Sequence, residues 1–120
     1  MTTTPPTPPN AFAFMRLDIY QVCRQLTVQV SRMNIADAEL RDQATRAVKS
    51  VLLNLAEGLP LEHSAGVRRR YFKNALGSLY ELVAAVDVSE ALGLITAEQL
   101  ADALDLAYRA RGMLAALVNR

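Results

Sequence analysis

The chain has 120 residues, with 13 lysines and arginines against 12 aspartates and glutamates, one histidine, one cysteine and no tryptophan. That length suits a single domain, and a hydrophobic fraction of 52% excludes a chain that is disordered throughout. The single cysteine excludes an internal disulfide framework and a cysteine-based zinc site, and a formal net charge of +1 argues against a broadly cationic nucleic-acid binder.

The first eleven residues are rich in threonine and proline. Four prolines exclude a helix or a central strand here, because each lacks a backbone donor: Pro5, Pro6, Pro8 and Pro9. We expect residues 1–11 to form an extended tail, either an unstructured terminus or a proline-rich ligand for a partner, and residues 12–120 to form the folded domain. The tail lacks the basic start and apolar stretch of a signal peptide, and we expect a cytoplasmic protein.

Apolar residues at spacings of three and four predict two helices in the first half of the chain. The first covers about residues 13–33, with apolar positions Met15, Ile19, Val22, Leu26, Val30 and Met33. The second covers about residues 37–57, with apolar positions Leu40, Ala44, Ala47, Val48, Val51 and Leu55. Asp37 is predicted to cap its start, and Gly58 followed by Pro60 is predicted to end it.

The third predicted helix is the longest and covers about residues 64–92. Ser64 is a candidate N-cap and Gly93 ends the helix. Gly77 lies in its interior, which indicates either close approach of a neighbouring helix or tolerance of a poor helix former. The apolar positions are Val67, Phe72, Ala75, Leu76, Leu79, Val83 and Val86.

The fourth predicted helix begins at Thr96, because Thr96 and Gln99 form a capping-box pattern. Its apolar positions are Leu100, Leu104, Ala107, Leu114 and Val118. The connections at 34–36, 58–63 and 93–95 are short, and short links make successive helices antiparallel neighbours. The sequence therefore predicts an all-α fold, an antiparallel up-down-up-down four-helix bundle. No apolar run reaches the ~18 residues of a membrane span, so no membrane partner is expected.

The residue types that carry catalysis are scarce and scattered. His63 lies in a predicted loop beside Glu62, which is the wrong spacing for a bundle metal site. Cys23 lies next to the apolar stripe of the first helix and is read as a small buried hydrophobe. With no glycine-rich phosphate loop either, we predict no catalytic, cofactor-binding or metal-binding residues, no cofactor and no enzymatic activity.

Charge is segregated along the sequence. Residues 41–73 contain seven bases and three acids, whereas residues 74–108 contain six acids and no base. The densest basic cluster is Arg68, Arg69, Arg70 and Lys73. It is a candidate contact either for nucleic-acid phosphates or for acidic groups of a neighbouring subunit.

Polar residues border the apolar stripes of the second and third helices. They are Asn54 and Glu57 on the second, and Ser78 and Glu81 on the third. Two carboxylates can serve acid–base chemistry, but these have no accompanying histidine, lysine or metal-ligand set. We interpret the four residues as an interhelical hydrogen-bond network that fixes helix register.

Two motifs resemble a known family, namely Asn54-Leu-Ala-Glu57-Gly58 and Ala75-Leu-Gly77-Ser78-Leu-Tyr-Glu81-Leu82. The chain resembles the bacterial four-helix-bundle proteins first noted as products of intervening sequences in large-subunit ribosomal RNA genes. Leu92-Gly93-Leu94-Ile95 is similar to that family's turn into its last helix, and the resemblance covers about residues 12–118.

The resemblance implies an antiparallel four-helix bundle that assembles into a ring of five, with no established enzyme activity. It places the two pairs of polar residues at motif positions of structural role. One relative in the family that the chain resembles is the accessory variability protein of diversity-generating retroelements. That relative is strongly basic and associates with a reverse transcriptase and nucleic acid. We therefore expect a non-enzymatic homo-oligomeric scaffold, with an accessory nucleic-acid- or reverse-transcriptase-binding protein as the alternative. In the ring, the basic segment of one subunit is expected to face the acidic segment of the next.

A surplus of apolar residues also indicates subunit contacts, since each bundle helix needs only one apolar stripe. Six apolar residues are predicted to lie at or beyond the stripe edges: Ile35, Leu53, Leu59, Leu61, Leu82 and Val88.

Overall fold

Four α-helices make up most of residues 7–120, the part of the chain that the computed structural model describes. They are α1 (Asp18–Ser31), α2 (Ala38–Gly58), α3 (Ala65–Ala91) and α4 (Ala97–Val118). A separate 3-10 turn, Ala13–Arg16, precedes α1, so α1 begins later than the spacing of its apolar residues predicts. The described residues contain no strand, and the predicted all-α class is confirmed.

The helices pack around one core, each against two neighbours. α1 packs mainly on α2 and α4, and α3 packs on the same two helices, most extensively on α2. Ser50 of α2 contacts Ser78 of α3, while Gly58 at the end of α2 lies against Tyr71 near the start of α3. Residue numbers therefore rise along α2 as they fall along α3, and the two helices run in opposite directions.

The same opposition holds for α3 and α4. One cleft is lined both by Arg68 and Arg69 at the start of α3 and by Leu117 and Arg120 at the end of the chain. The start of α3 thus lies beside the end of α4. The molecule measures 45 × 30 × 22 Å, and its long dimension accommodates the 27 residues of α3 at 1.5 Å per residue.

Most of the predicted apolar stripes form the core. The largest fully buried side chains come from all four helices and include Leu26, Leu55, Phe72, Leu79 and Leu114. Two predicted stripe residues are exposed on the surface, Val67 at 44% and Leu104 at 38%. In α4 the core positions are instead taken by Ala103, Leu106, Ala107, Ala110, Leu114 and Val118.

Three of the predicted helix ends have the expected geometry. The Asp37 side chain accepts a hydrogen bond from the Leu40 backbone N–H at 2.9 Å. Thr96 and Gln99 form both hydrogen bonds of a capping box. Gly93 has a φ of 74°, a left-handed conformation that ends α3. Ser64 occupies the N-cap position of α3, but its side chain makes no capping hydrogen bond.

Two helix glycines differ in how closely the neighbouring helix approaches them. Gly58 is the last residue of α2, and a Cβ there would lie 2.9 Å from the Tyr71 Cβ and 3.0 Å from the Phe72 Cε1. The absence of a side chain at Gly58 therefore allows α3 to pack closely on α2. A Cβ at Gly77 would meet nothing within 4 Å. The close approach proposed for Gly77 is thus absent within residues 7–120.

The apolar surplus divides between the core and the surface. Ile35, Leu59 and Leu82 are buried in the core of the same chain, so their predicted place at the stripe edge is wrong. Leu53 and Val88 are 58% and 44% exposed, as a contact surface requires. No helix in the described part of the chain combines the length and apolar character needed to cross a membrane.

The segment before α1 is held against the bundle. Arg16 donates hydrogen bonds to the carbonyl oxygens of Pro8 and Pro9 at 3.0 and 3.2 Å. Phe14 packs edge-to-face on Tyr20 of α1, with ring centroids 5.2 Å apart. The expected tail of residues 1–11 falls partly on residues 1–6, which lie outside the described residues.

Candidate functional site

A small polar network joins α2 to α3. The hydroxyls of Ser50 and Ser78 lie 2.7 Å apart in a half-buried position. Asn54, one turn further along α2, donates from Nδ2 to the Ser50 carbonyl oxygen at 2.8 Å and to its hydroxyl at 3.2 Å. Because these contacts join two helices that pack closely, they fix the register of α2 against α3.

The structure brings together some of the predicted network residues and separates others. Asn54 and Ser78 are linked through Ser50, a residue that the sequence analysis missed. The signal for Ser50 was its position four residues before Asn54, on the same face of α2. Glu57 and Glu81 are both exposed. Glu81 lines the same groove as Ser50 and Ser78, but makes no hydrogen bond with them.

An open groove of about 660 Å³ extends from this network along α2 and α3. Its floor and walls consist largely of small side chains: Ala47, Ser50, Ser78, Ala84 and Ala85. A serine nucleophile needs an adjacent base, and the groove contains no histidine or lysine. His63 is exposed in the α2–α3 link. The groove can therefore accept side chains and hydrogen bonds, but it holds no nucleophile–base pair.

Arg68 differs from the rest of the basic cluster because it serves the fold. Its Nε donates to the Gly58 carbonyl oxygen at 3.3 Å, and its Nη2 donates to the Leu59 carbonyl oxygen at 3.2 Å. Its guanidinium carbon lies 5.2 Å from the centroid of the Phe72 ring. A cation at the end of α2 satisfies free carbonyl groups and complements the negative end of the helix dipole.

The other three basic residues point to solvent. Arg69, Arg70 and Lys73 are exposed on the first turns of α3. At about 100° per residue, these three positions share one side of the helix, whereas Arg68 turns toward the bundle. None of them forms a salt bridge with an acidic side chain of the described chain. They are therefore available to an external anion or to a neighbouring subunit.

The charge segregation along the sequence places opposite charges at the two ends of the bundle. Because α3 and α4 run in opposite directions, the basic start of α3 lies at the same end as Arg111 and Arg120. The opposite end carries the acidic residues that flank the α3–α4 turn, namely Asp87, Glu90, Glu98 and Asp102. One end of the 45 Å bundle is thus basic and the other acidic.

Cys23 lies in the core and has no exposed surface. Burial raises the pKa of its thiol from 9.0 to about 12, because the thiolate would lose its hydration. The thiolate is the nucleophilic form, so Cys23 is inert near neutral pH. In residues 7–120, no three His, Cys, Asp or Glu side chains are grouped so that they could hold a metal ion.

Comparison with known proteins identifies a family for this chain. No curated protein matches the chain at a significant level. A family model described as 23S rRNA-intervening sequence protein matches residues 15–116, which include all four helices except the last two residues of α4. The motifs around Asn54 and Ser78, which form the α2–α3 network, lie inside this match. The chain therefore belongs to the family of 23S rRNA-intervening sequence proteins.

Proposed function

We propose that this protein is a cytoplasmic, non-enzymatic scaffold that assembles into a homo-oligomer, and that the oligomer is a ring of five. The observation that carries the proposal is the number of large apolar side chains left on the outside of the bundle. They include Leu53 (58% exposed), Tyr80 (55%), Val88 (44%), Leu92 (64%) and Tyr108 (71%). Covering such side chains in a subunit contact removes apolar surface from water.

The chemistry of the described residues supports a binding role over catalysis. The two serines of the α2–α3 network hydrogen-bond each other, and Cys23 is buried with a raised pKa. The family is not known as a family of enzymes. A protein whose polar side chains bond each other between helices, and whose surface carries several large apolar side chains, is suited to assembly.

Light scattering coupled to size-exclusion chromatography tests the assembly. We expect a mass close to five times the 13.2 kDa of one chain. A monomer at micromolar concentration would contradict the proposal. The same measurement in high salt tests the electrostatic part, because salt screens contacts between the basic segment of one subunit and the acidic segment of the next. If the ring keeps its mass and stability in high salt, the electrostatic contacts between subunits are contradicted and the ring itself is not.

The second candidate function is binding of nucleic acid, alone or with a reverse transcriptase, at the basic end of the bundle. The observation in its favour is the exposed triplet of Arg69, Arg70 and Lys73 on one side of α3. In a ring whose subunits all point the same way, these triplets gather at one rim. Such a rim matches the repeated charge of a phosphate backbone.

An electrophoretic shift assay at low salt with a structured RNA tests this second function. The informative variant replaces Arg69, Arg70 and Lys73 by alanine and keeps Arg68, which holds the end of α2. The matched control replaces the exposed bases Arg24 and Arg32. We expect the triple variant to lose binding and the control to retain it. Absence of binding by the wild type, or equal binding by the triple variant, would rule out this function.

A further inference from the structure

The α2–α3 groove has the form of a receptor for a protruding side chain. It runs from Leu40 and Val88 at one end to the Ser50–Ser78 pair at the other. Its volume of about 660 Å³ arises because small residues such as Ala84 face outward where the two helices meet. A groove with this lining leaves room for one or two large apolar side chains between α2 and α3.

A complementary ridge lies on α4, on another side of the bundle. Leu104 and Tyr108 are 38% and 71% exposed and stand four residues apart, so they project from one face of the helix. Small residues, Ala101 and Gly112, precede and follow them on that face. Arg111 lies over the Tyr108 ring at 5.4 Å from its centroid, on the same exposed side. The ridge is therefore a pair of large exposed side chains, with Arg111 stacked on Tyr108 and a cleft toward Gln21 and Gln25 of α1 on one side.

The ridge and the groove lie at the same height along the bundle. Leu117 of α4 shares a cleft with Arg69 and Phe72 of α3, which sets the register of these antiparallel helices. Counting back along α4 at 1.5 Å per residue places Leu104 and Tyr108 level with about residues 78–85 of α3, within roughly one turn. Those α3 residues include the groove residues Ser78, Glu81 and Ala84. Subunits related by rotation about an axis parallel to the bundle contact each other at equal heights.

The charges beside the two surfaces are also complementary. The groove carries Arg46 on its α2 wall and Glu81 on its α3 wall, and neither forms a salt bridge within the described chain. The ridge carries Asp105 between its two large side chains and Arg109 directly after them. By the same count, Asp105 stands about level with Arg46. The basic wall of the groove thus lies at the same height along the bundle as an acidic position of the ridge.

We infer that Leu104 and Tyr108 of one copy of this chain insert into the α2–α3 groove of the next copy. This inference rests on the proposed homo-oligomer and names its contact. Because ridge and groove are different surfaces of one chain, the contact is heterologous, and repeated contacts of that kind form a ring when the rotation between copies closes. The sequence predicts Leu104 in the core of α4, whereas the structure exposes it. In this contact the exposed side chain packs in the groove of the next copy.

Two charge-introducing variants test the contact from its two sides. Ala84→Arg fills the groove, and Leu104→Glu with Tyr108→Glu destroys the ridge. All three replaced side chains are exposed, so the helical circular dichroism spectrum of each protein should stay unchanged. We expect each variant alone to be monomeric by light scattering. Val67→Arg is the matched control, because it adds a charge at an exposed apolar residue outside both surfaces, and it should remain assembled.

Mixing the two variants distinguishes this arrangement from any other. The groove variant retains an intact ridge, and the ridge variant retains an intact groove, so a mixture should form one-to-one heterodimers. Variants that stay assembled, or a mixture that stays monomeric, would overturn the inference while leaving the homo-oligomer intact. A monomeric wild type would instead overturn the proposed function, and this contact with it.

Discussion

Arg68 of α3 donates a hydrogen bond from Nε to the carbonyl oxygen of Gly58, the last residue of α2, at 3.3 Å. A second bond from the same guanidinium reaches the Leu59 carbonyl oxygen at 3.2 Å. The planar guanidinium can serve both carbonyl groups at once, which an ammonium group cannot do with the same geometry. This contact ties the end of α2 to the first turn of α3 and separates Arg68 from the exposed bases Arg69, Arg70 and Lys73.

Replacing Arg68 by alanine should lower the free energy of unfolding by about 1–2 kcal/mol, because two charge-assisted hydrogen bonds to backbone carbonyls are lost. Arg69→Ala is the matched control, since Arg69 is exposed and its replacement should change stability by less than about 0.5 kcal/mol. Urea denaturation followed by circular dichroism measures both. Equal effects of the two replacements would contradict the assigned role of Arg68.

The two helix glycines Gly58 and Gly77 should respond to alanine with opposite signs. At Gly58 the new Cβ would lie 2.9 Å from the Tyr71 Cβ, so α3 must shift and stability should fall by about 1–3 kcal/mol. At Gly77 the new Cβ meets open space, and the better helix former should raise stability by up to about 1 kcal/mol. Denaturation of both single variants measures the difference. A stabilising Gly58→Ala would show that the helices do not pack this closely.

The sequence predicts the helices well because their ends carry explicit chemical signals. The side chains of Asp37 and Thr96 accept backbone hydrogen bonds at the starts of α2 and α4. Gly93 takes a positive φ that few other residues adopt. The core face of α4 could not be predicted as well, because alanine and leucine occur nearly all round that helix. Leu104 and Leu106 are then equally plausible core residues, and only packing against α1 and α3 decides between them.

The candidate site was less predictable because its residues depend on contacts between helices. Three consecutive arginines and Lys73 identify a basic cluster, but they do not show that Arg68 folds back on the α2 carbonyl groups. Likewise, Ser50 acquires a role only through Ser78, which is 28 residues away in the chain. Arg46 and Asp105 lie at about the same height along the bundle because of the register between the helices. The residue pattern within a single helix does not determine that register.

The contact between Ser50 and Ser78 should appear as a coupling in a double-mutant cycle. Each hydroxyl is half-buried and partners the other at 2.7 Å, so either single change to alanine leaves the remaining hydroxyl without this bond. We expect the double variant to be less destabilised than the sum of the single variants, by about 0.5–1.5 kcal/mol. Strict additivity in urea denaturation would show that the two hydroxyls do not interact in solution.

The N-termini of α4 and α3 provide a matched pair of cap replacements. Thr96→Ala removes a hydroxyl that accepts the Gln99 backbone N–H at 3.0 Å, and should cost about 1 kcal/mol. Ser64→Ala changes the corresponding position of α3, where the side chain makes no capping bond, and should cost less than about 0.5 kcal/mol. Thermal or urea unfolding compares the two. A larger loss at Ser64 would indicate that its hydroxyl caps α3 in solution.

Cys23 should make the stability of the bundle fall in alkaline solution. Burial raises the pKa of this thiol from 9.0 to about 12 in the folded protein, so the folded state keeps its proton at pH values where the unfolded chain has lost it. The contribution of Cys23 to the free energy of unfolding is therefore constant below about pH 9 and decreases between about pH 9 and 12. At about pH 10.5 the expected loss is roughly 2 kcal/mol.

A comparison of the wild type with Cys23→Ala isolates this effect, because the two proteins differ only at this side chain. The alanine variant loses buried volume and should be less stable by a constant amount near neutral pH. As the pH rises from about 7 to 10.5, the difference in the free energy of unfolding between the wild type and the variant should fall by roughly 2 kcal/mol. A stability difference that is independent of pH would mean that the thiol reaches water in the folded state. Rapid alkylation of native Cys23 near neutral pH would lead to the same conclusion, since a buried protonated thiol reacts only after unfolding.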